Sequence, residues 1–350
     1  MKLSRRSLMV RGTAATAAFA ATQIFRPRRA NAQNDVVNLY SSRHYNTDDA
    51  LYETFTELTG IQVNLLEGEA DVLLERLINE GANSPADVFM TVDAGMLWRA
   101  DQANIFAPIS SSELNNRIPE NLRHPEGKWF GFSKRARVIM YNKATVDPAE
   151  LSTYEALADP KWQGEVLIRS SGNIYNQSLV ASLIEANGLE ETEEWAAALV
   201  SNFARPPEGN DRAQIEAAAS GLGDLAIANT YYLPRYLEAE EPAMQEVFEK
   251  IGVFFPNQEG RGTHVNISGA GVVTNAPHAS AAQQFLEYLS GSEAQEFFAK
   301  GNNEYPVVED AELAAVVKEF GSFKDDSVNV STYGENQAAA VQLMDRVGWV

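Results

Sequence analysis

Short apolar runs alternate with amphipathic stretches along most of the chain. "VVNLYSS" (36–42) has the β-branched and aromatic content of a strand. "NTDDALYETFTELTG" (46–60) predicts a helix, with Asn46 or Thr47 as its cap, acids in its first turn and Gly60 at its end. "IQVNLLEG" reads as the next strand, and "ADVLLERLINEG" (70–81) as a helix with Val72, Leu73, Leu77 and Ile78 on one side, again closed by glycine. "ADVFMTVD" (86–93) and "AGMLWRADQANIF" give a third strand and helix. This βαβαβα order predicts an α/β domain with a mainly parallel sheet.

The pattern then changes. "GKWFGFSKRARVIMYNKA" (127–144) is one long β-favouring run, and "EVLIRSSGN" (165–173) opens a second α/β series. Helices are predicted at "NQSLVASLIEANG", "ETEEWAAALVSNFA" and "DRAQIEAAASGLG". Strands are predicted at "DLAIANT", "IGVFFP" and "SGAGVVTNAP" (268–277), and "HASAAQQFLEYLSGSEAQEFFAKG" reads as two linked helices. No tandem repeat appears. The expected architecture is α/β with two lobes and a ligand cleft between them. No Pro/Gly/Ser-rich linker separates the lobes, which a chain crossing more than once explains. Residues 33–131 plus about 262–312 are expected to form the N-terminal lobe, and about 132–261 plus 313–350 the C-terminal lobe.

The first 32 residues differ from the rest: seven Lys/Arg and no acid, a mild Ala/Thr-rich apolar stretch, and "ANA" ending at Ala32. This reads as a cleaved export signal. Arg5 and Arg6 in "SRRSLM" resemble a twin-arginine signal, with a plain Sec signal as the alternative. Its removal takes the formal charge from −20 to −27 through loss of seven positive charges. So acidic a chain repels phosphate backbones, which argues against nucleic-acid binding. No cysteine is present, so disulfides, thiolate metal sites, cysteine nucleophiles and a lipoprotein anchor are excluded. A periplasmic monomer without a membrane anchor is expected.

Enzyme motifs are missing: there is no G-x-x-x-x-G-K-[ST], H-E-x-x-H or G-x-S-x-G. "GLGDLA" (221–226) fits a dinucleotide motif on paper, but it follows a helix and precedes a strand, the reverse of the required context. Four histidines are scattered, and only His44 has a suggestive neighbour. The tyrosines are more informative. Tyr45, Tyr175, Tyr231 and Tyr232 each follow a predicted strand, where α/β folds place ligand sites. A single tyrosine usually just packs and finds its hydroxyl a partner. An adjacent pair is harder to absorb, because neighbours point in different directions. A hard trivalent cation would explain several phenols in one place. A phenol ionises near pH 10, and such a cation displaces its proton. Fe(III) (Fe3+) prefers anionic oxygen. Arg235, Arg135 and Arg43 are candidates to balance the negative charge.

"SSRHY", "SPADVF", "GKWFGFSKRARVIMYNK" and "LAIANTYYLPRY" resemble the periplasmic ferric-iron-binding proteins of ABC importers, in the cyanobacterial FutA-like subgroup. The resemblance covers essentially all of the chain after the signal. It implies a class II periplasmic-binding-protein fold that closes around Fe(III) and hands it to an inner-membrane ABC permease, with no enzymatic activity. It implies Tyr45 from the first lobe and Tyr175, Tyr231 and Tyr232 from the second as ligands. In some members the histidine before the first tyrosine also ligates, which falls on His44. In others an arginine or water completes the shell, with Arg235 and Arg135 the positions to watch. Fe(II) (Fe2+) is a second cargo if an arginine or histidine moves. Many family members outside the subgroup use a carboxylate and a synergistic anion. The corresponding position here is Asp93, shorter than the usual glutamate and read as the cap of the helix "AGMLW". The rival reading is the same fold with a polyamine, a thiamine-like compound, a phosphonate or a sugar stacked on the tyrosines. A more distant rival is a secreted hydrolase.

Overall fold

The computed structural model describes residues 36–43 and 48–350. His44, Tyr45 and the export signal lie outside the described residues. In chain order the elements are β1 Val36–Ser41, α1 Asp48–Thr59, β2 Gln62–Glu67, α2 Ala70–Glu80, β3 Val88–Thr91, α3 Ala94–Gln102, α4 Ser112–Arg117 and β4 Phe130–Asn142. They continue with β5 Val166–Leu167, α5 Ile174–Asn187, α6 Leu189–Ser201, α7 Asp211–Ala219, β6 Leu225–Asn229, α8 Pro234–Leu237, α9 Pro242–Lys250, β7 Ile251–Phe254 and β8 Val265–Val272. The last are α10 Ala279–Leu289, α11 Ser292–Asn302, α12 Ala315–Lys318 and α13 Thr332–Arg346.

The strands run in the order β2-β1-β3-β8-β4-β6-β5, with β7 also on β4. Parallel pairing is confined to β1 with β2 and β3, and to β5 with β6. Strands β8 and β4 come in antiparallel, so the sheet is mixed rather than mainly parallel.

The 13-residue β4 organises the molecule. Its first half pairs with β8, from Phe130↔Ala270 to Ala136↔Val265. Its second half pairs with β6 and β7, from Arg137↔Asn229 to Asn142↔Ile251. One strand therefore serves both halves of a two-lobed α/β fold, and neighbouring residues Ala136 and Arg137 mark the changeover. Strands β6 and β8 are buried at every position, as expected of strands covered on both faces.

Two local readings are corrected. The "EVLIRSSGN" strand pairs only over Val166–Leu167; Asn173 then caps α5 by accepting Tyr175 N–H at 3.1 Å. On α2 the buried face is Leu73, Leu74 and Leu77, while Val72 and Ile78 are exposed, about one residue of rotation from the expected stripe. Gly60 and Gly81 end α1 and α2 with positive φ (78° and 53°), a backbone that glycine adopts at little cost.

Candidate metal centre

Strand β6 ends at Asn229 and runs straight into a 3-10 turn, Thr230–Tyr232. The turn brings both rings of the pair to one side: the Tyr231 and Tyr232 centroids are 4.4 Å apart, tilted by 41°. Tyr175 arrives from the first turn of α5, and the Tyr231 hydroxyl donates to the Tyr175 hydroxyl at 3.3 Å. Asn229 Nδ2 donates to the same Tyr231 oxygen at 3.4 Å. Three of the four expected tyrosines thus converge. Tyr231 is buried, and Tyr175 and Tyr232 are half-buried. The fourth, Tyr45, and His44 lie outside the described residues.

Guanidinium groups lie over the faces of these rings. Arg235 sits 5.5 Å from the Tyr231 centroid and 5.7 Å from that of Tyr232. Arg135 and Arg169 each lie 5.6 Å from the Tyr175 centroid. Such cation–π placement sets the positive charges against the ring faces. Burial is the main influence on the Tyr232 phenol and raises its pKa, helped by Tyr175 and Asp211; Tyr231 and Arg169 oppose it. A phenol held neutral in this way needs a strong cation to displace its proton.

Behind the rings, Asp211 at the start of α7 is fully buried. It accepts from Arg137 Nη1 at 3.1 Å and from the Asn229 backbone N–H at 3.0 Å, and faces Arg169 Nη1 at 3.6 Å. It therefore fixes the end of β6 where the tyrosine turn begins. Arg135, Arg137, Tyr175, Asn229, His264 and Asn266 surround a narrow gap at the β4 changeover that is too small to hold a water. His264 is buried, and burial first, then Arg261, Arg137 and Arg135, hold its pKa well below the usual value. It is therefore neutral. Larger hollows lie elsewhere, such as one of about 810 Å³ over α1 and β2 lined by Asp49, Tyr52 and Glu53. Chemistry rather than volume selects the tyrosine cluster.

Arg43 has a different setting. It is buried and binds Asp48 (2.8 Å) and Glu304 (3.1 Å), two carboxylates that use its charge. Asp93 caps α3 as expected, accepting Gly95 N–H at 2.7 Å. Sequence reasoning missed Arg169, Arg137, Asp211 and His264. Only Arg169 carried a signal, standing at the end of the "EVLIR" run just before the Tyr175 segment.

A mixed two-lobed α/β fold with a polar, aromatic site at the switch between its halves defines a solute-binding protein. Residues 83–324 match the family described as "Bacterial extracellular solute-binding protein". The chain is 56% identical over 350 residues to iron uptake protein A2 of Synechocystis sp., covering 99% of each chain. Among solved structures it is similar to the Trichodesmium FutA protein in complex with iron and citrate ligands, at 65% identity and TM-score 0.88 over 90% of this chain and 100% of that one. It also matches the ferric binding protein from Campylobacter jejuni, at 40% identity and TM-score 0.82 over 90% and 100%. The chain belongs to the bacterial extracellular solute-binding protein family and groups there with the FutA-type proteins.

Proposed function

We propose that this chain binds Fe(III) in the periplasm and delivers it to an inner-membrane ABC permease, acting as a carrier and not as an enzyme. The observation that carries this reading is the meeting of three phenols, with Tyr175 and Tyr231 hydroxyls at 3.3 Å and the Tyr231 and Tyr232 rings at 4.4 Å. Hard phenolate oxygens suit Fe(III), and each bond releases a proton. Tyr175, Tyr231 and Tyr232 are the proposed ligands from one lobe. Tyr45 supplies the fourth from the other, and His44 beside it is a further candidate ligand. Arg135 and Arg235 balance charge around the ion. The iron-uptake relatives support the reading. The lobes divide as 33–131 plus about 262–312 and about 132–261 plus 313–350, with β4 running between them and the chain returning just before β8.

Fe(II) is the reduced cargo, held more weakly because it is a poorer partner for phenolate, so reduction is a route of release. The basic leader with its Arg5–Arg6 pair sends the chain out by twin-arginine export as a monomer. Among the described residues no helix is long and apolar enough to cross a membrane.

The test is a visible spectrum of purified protein titrated with Fe(III) and then reduced. A saturable tyrosinate-to-iron band at one iron per chain, bleached by reductant, is expected. No band and no bound iron would overturn the proposal and favour an organic cargo on the same rings.

A further inference from the structure

Capping α3 needs one oxygen acceptor, and an asparagine serves as well there. Asp93 does more. Its Oδ1 accepts Gly95 N–H at 2.7 Å, while Oδ2 accepts Asn266 Nδ2 at 2.8 Å and Ser178 Oγ at 3.1 Å and faces Arg135 Nη2 at 3.9 Å. These partners belong to β8, α5 and β4. The side chain is 2% exposed, and a buried carboxylate is tolerated only when its oxygens are so matched.

Two of these partners lead to the same tyrosine. Ser178 lies three residues beyond Tyr175 on α5, on the same helix face. Arg135 lies over the Tyr175 ring at 5.6 Å and also donates to the Val92 carbonyl, beside Asp93. Asp93 therefore holds Tyr175 from below, through the helix, and from its face, through the guanidinium.

We propose that Asp93 is a positioning residue for iron capture: it joins the β3–α3 corner to α5 and β4 and so fixes where the Tyr175 hydroxyl stands. It acts through Ser178 and Arg135 and is not itself a ligand. The inference rests on the reading of Tyr175 as an iron ligand.

A double-mutant cycle on the full chain tests it. Iron affinity against citrate competition and the tyrosinate band are measured for wild type, Asp93→Asn, Tyr175→Phe and the double variant. Asparagine keeps the helix cap but presents an NH2 group where Ser178 and Asn266 now donate. Asp93→Asn is expected to weaken Fe(III) binding about tenfold and to move the band, the size usual for groups that orient metal ligands. With Tyr175→Phe in place, the same change is expected to cost less than about twofold, because the group being positioned is gone. Equal losses in both backgrounds, or none in either, overturn the proposal. Should Asp93→Asn fail to fold, Ser178→Ala goes round the same cycle, with about a threefold loss expected only when Tyr175 is present; additive losses overturn the proposal there too. A wild-type protein without a band would instead break the reading of the site itself, so the two failures are distinguishable.

Discussion

Two regions of this molecule bury arginine beside acid, and they balance their charges differently. Around Arg43, one guanidinium meets two carboxylates, Asp48 and Glu304, and Ser133 Oγ donates to Glu304 at 3.0 Å. Around the tyrosines, three guanidiniums (Arg135, Arg137 and Arg169) meet two carboxylates among the described residues, Asp93 and Asp211, and the exposed Arg235 lies over the ring pair. In the first region the acids outnumber the guanidinium. The second keeps one more guanidinium than carboxylate beside the phenols, with Arg235 at its exposed edge. Exchanging the Tyr175, Tyr231 and Tyr232 protons for one Fe(III) leaves that surplus unchanged, and the fourth proton, from Tyr45, lowers it by one. A site built this way takes up a trivalent ion with its extra positive charge offset by the fourth phenolate, whereas a carboxylate cage would begin strongly negative.

The sharpest way to break the comparison is Asp211→Ala. Arg137 is fully buried, and Asp211 is its carboxylate partner at 3.1 Å. Removing one member of a buried pair costs about 3–5 kcal/mol, so a large fall in denaturation free energy is expected. A loss near zero would mean that Asn176 and Asn229 alone satisfy Arg137.

Acidification comes next. Each phenolate bound to iron displaces one proton, so affinity falls about tenfold per pH unit per phenol, or about 5 kcal/mol per unit for four. Burial raises the Tyr232 pKa, so the neutral form is favoured before iron arrives and protons compete strongly. In the iron-free protein the sign is different: a raised phenol pKa adds stability that is complete below about pH 10 and is lost as pH rises through the folded value. Affinity measured against a chelator from pH 8 to 6 checks the first statement, and alkaline unfolding the second. Tyr232→Phe should lower affinity by about 100-fold or more and reduce the pH slope from four protons to three, with the fold intact.

How much of this was legible in the chain depends on the range of each interaction. The alternation of strand and helix and the "TYY" pair following "DLAIAN" were local signals, and they led to the correct elements. The paired tyrosines looked incompatible with one surface because strand and helix geometry separate neighbours; the 3-10 turn instead sets the rings 4.4 Å apart. The division of β4 between two partners could not be read, because Arg135 and Arg137 look like ordinary alternating charges until β8 and β6 are placed beside them. Asp211 was hidden for the same reason: its partners Asn229 and Arg137 lie 18 and 74 residues away. The Tyr175 strand shortened because Asn173 offered a helix cap, a local competitor that the β-favouring run before it concealed.

The smallest effect is expected in the Arg43 region, and it tests the contrast most directly. Glu304→Gln removes one of the two carboxylates on Arg43 but leaves Asp48 at 2.8 Å and one oxygen to accept from Arg43, while the new NH2 group replaces the oxygen that accepts from Ser133, whose hydroxyl can turn to accept instead. The change deletes the surplus negative charge rather than the only counter-charge. The cost should therefore be about 1 kcal/mol or less, in the range of a single neutral hydrogen bond, against several for Asp211→Ala. Equilibrium unfolding of the two variants in the same buffer gives the comparison. If Glu304→Gln cost as much as Asp211→Ala, Arg43 would depend on both acids, and the difference between an acid-rich cluster and a site held ready for a cation would disappear.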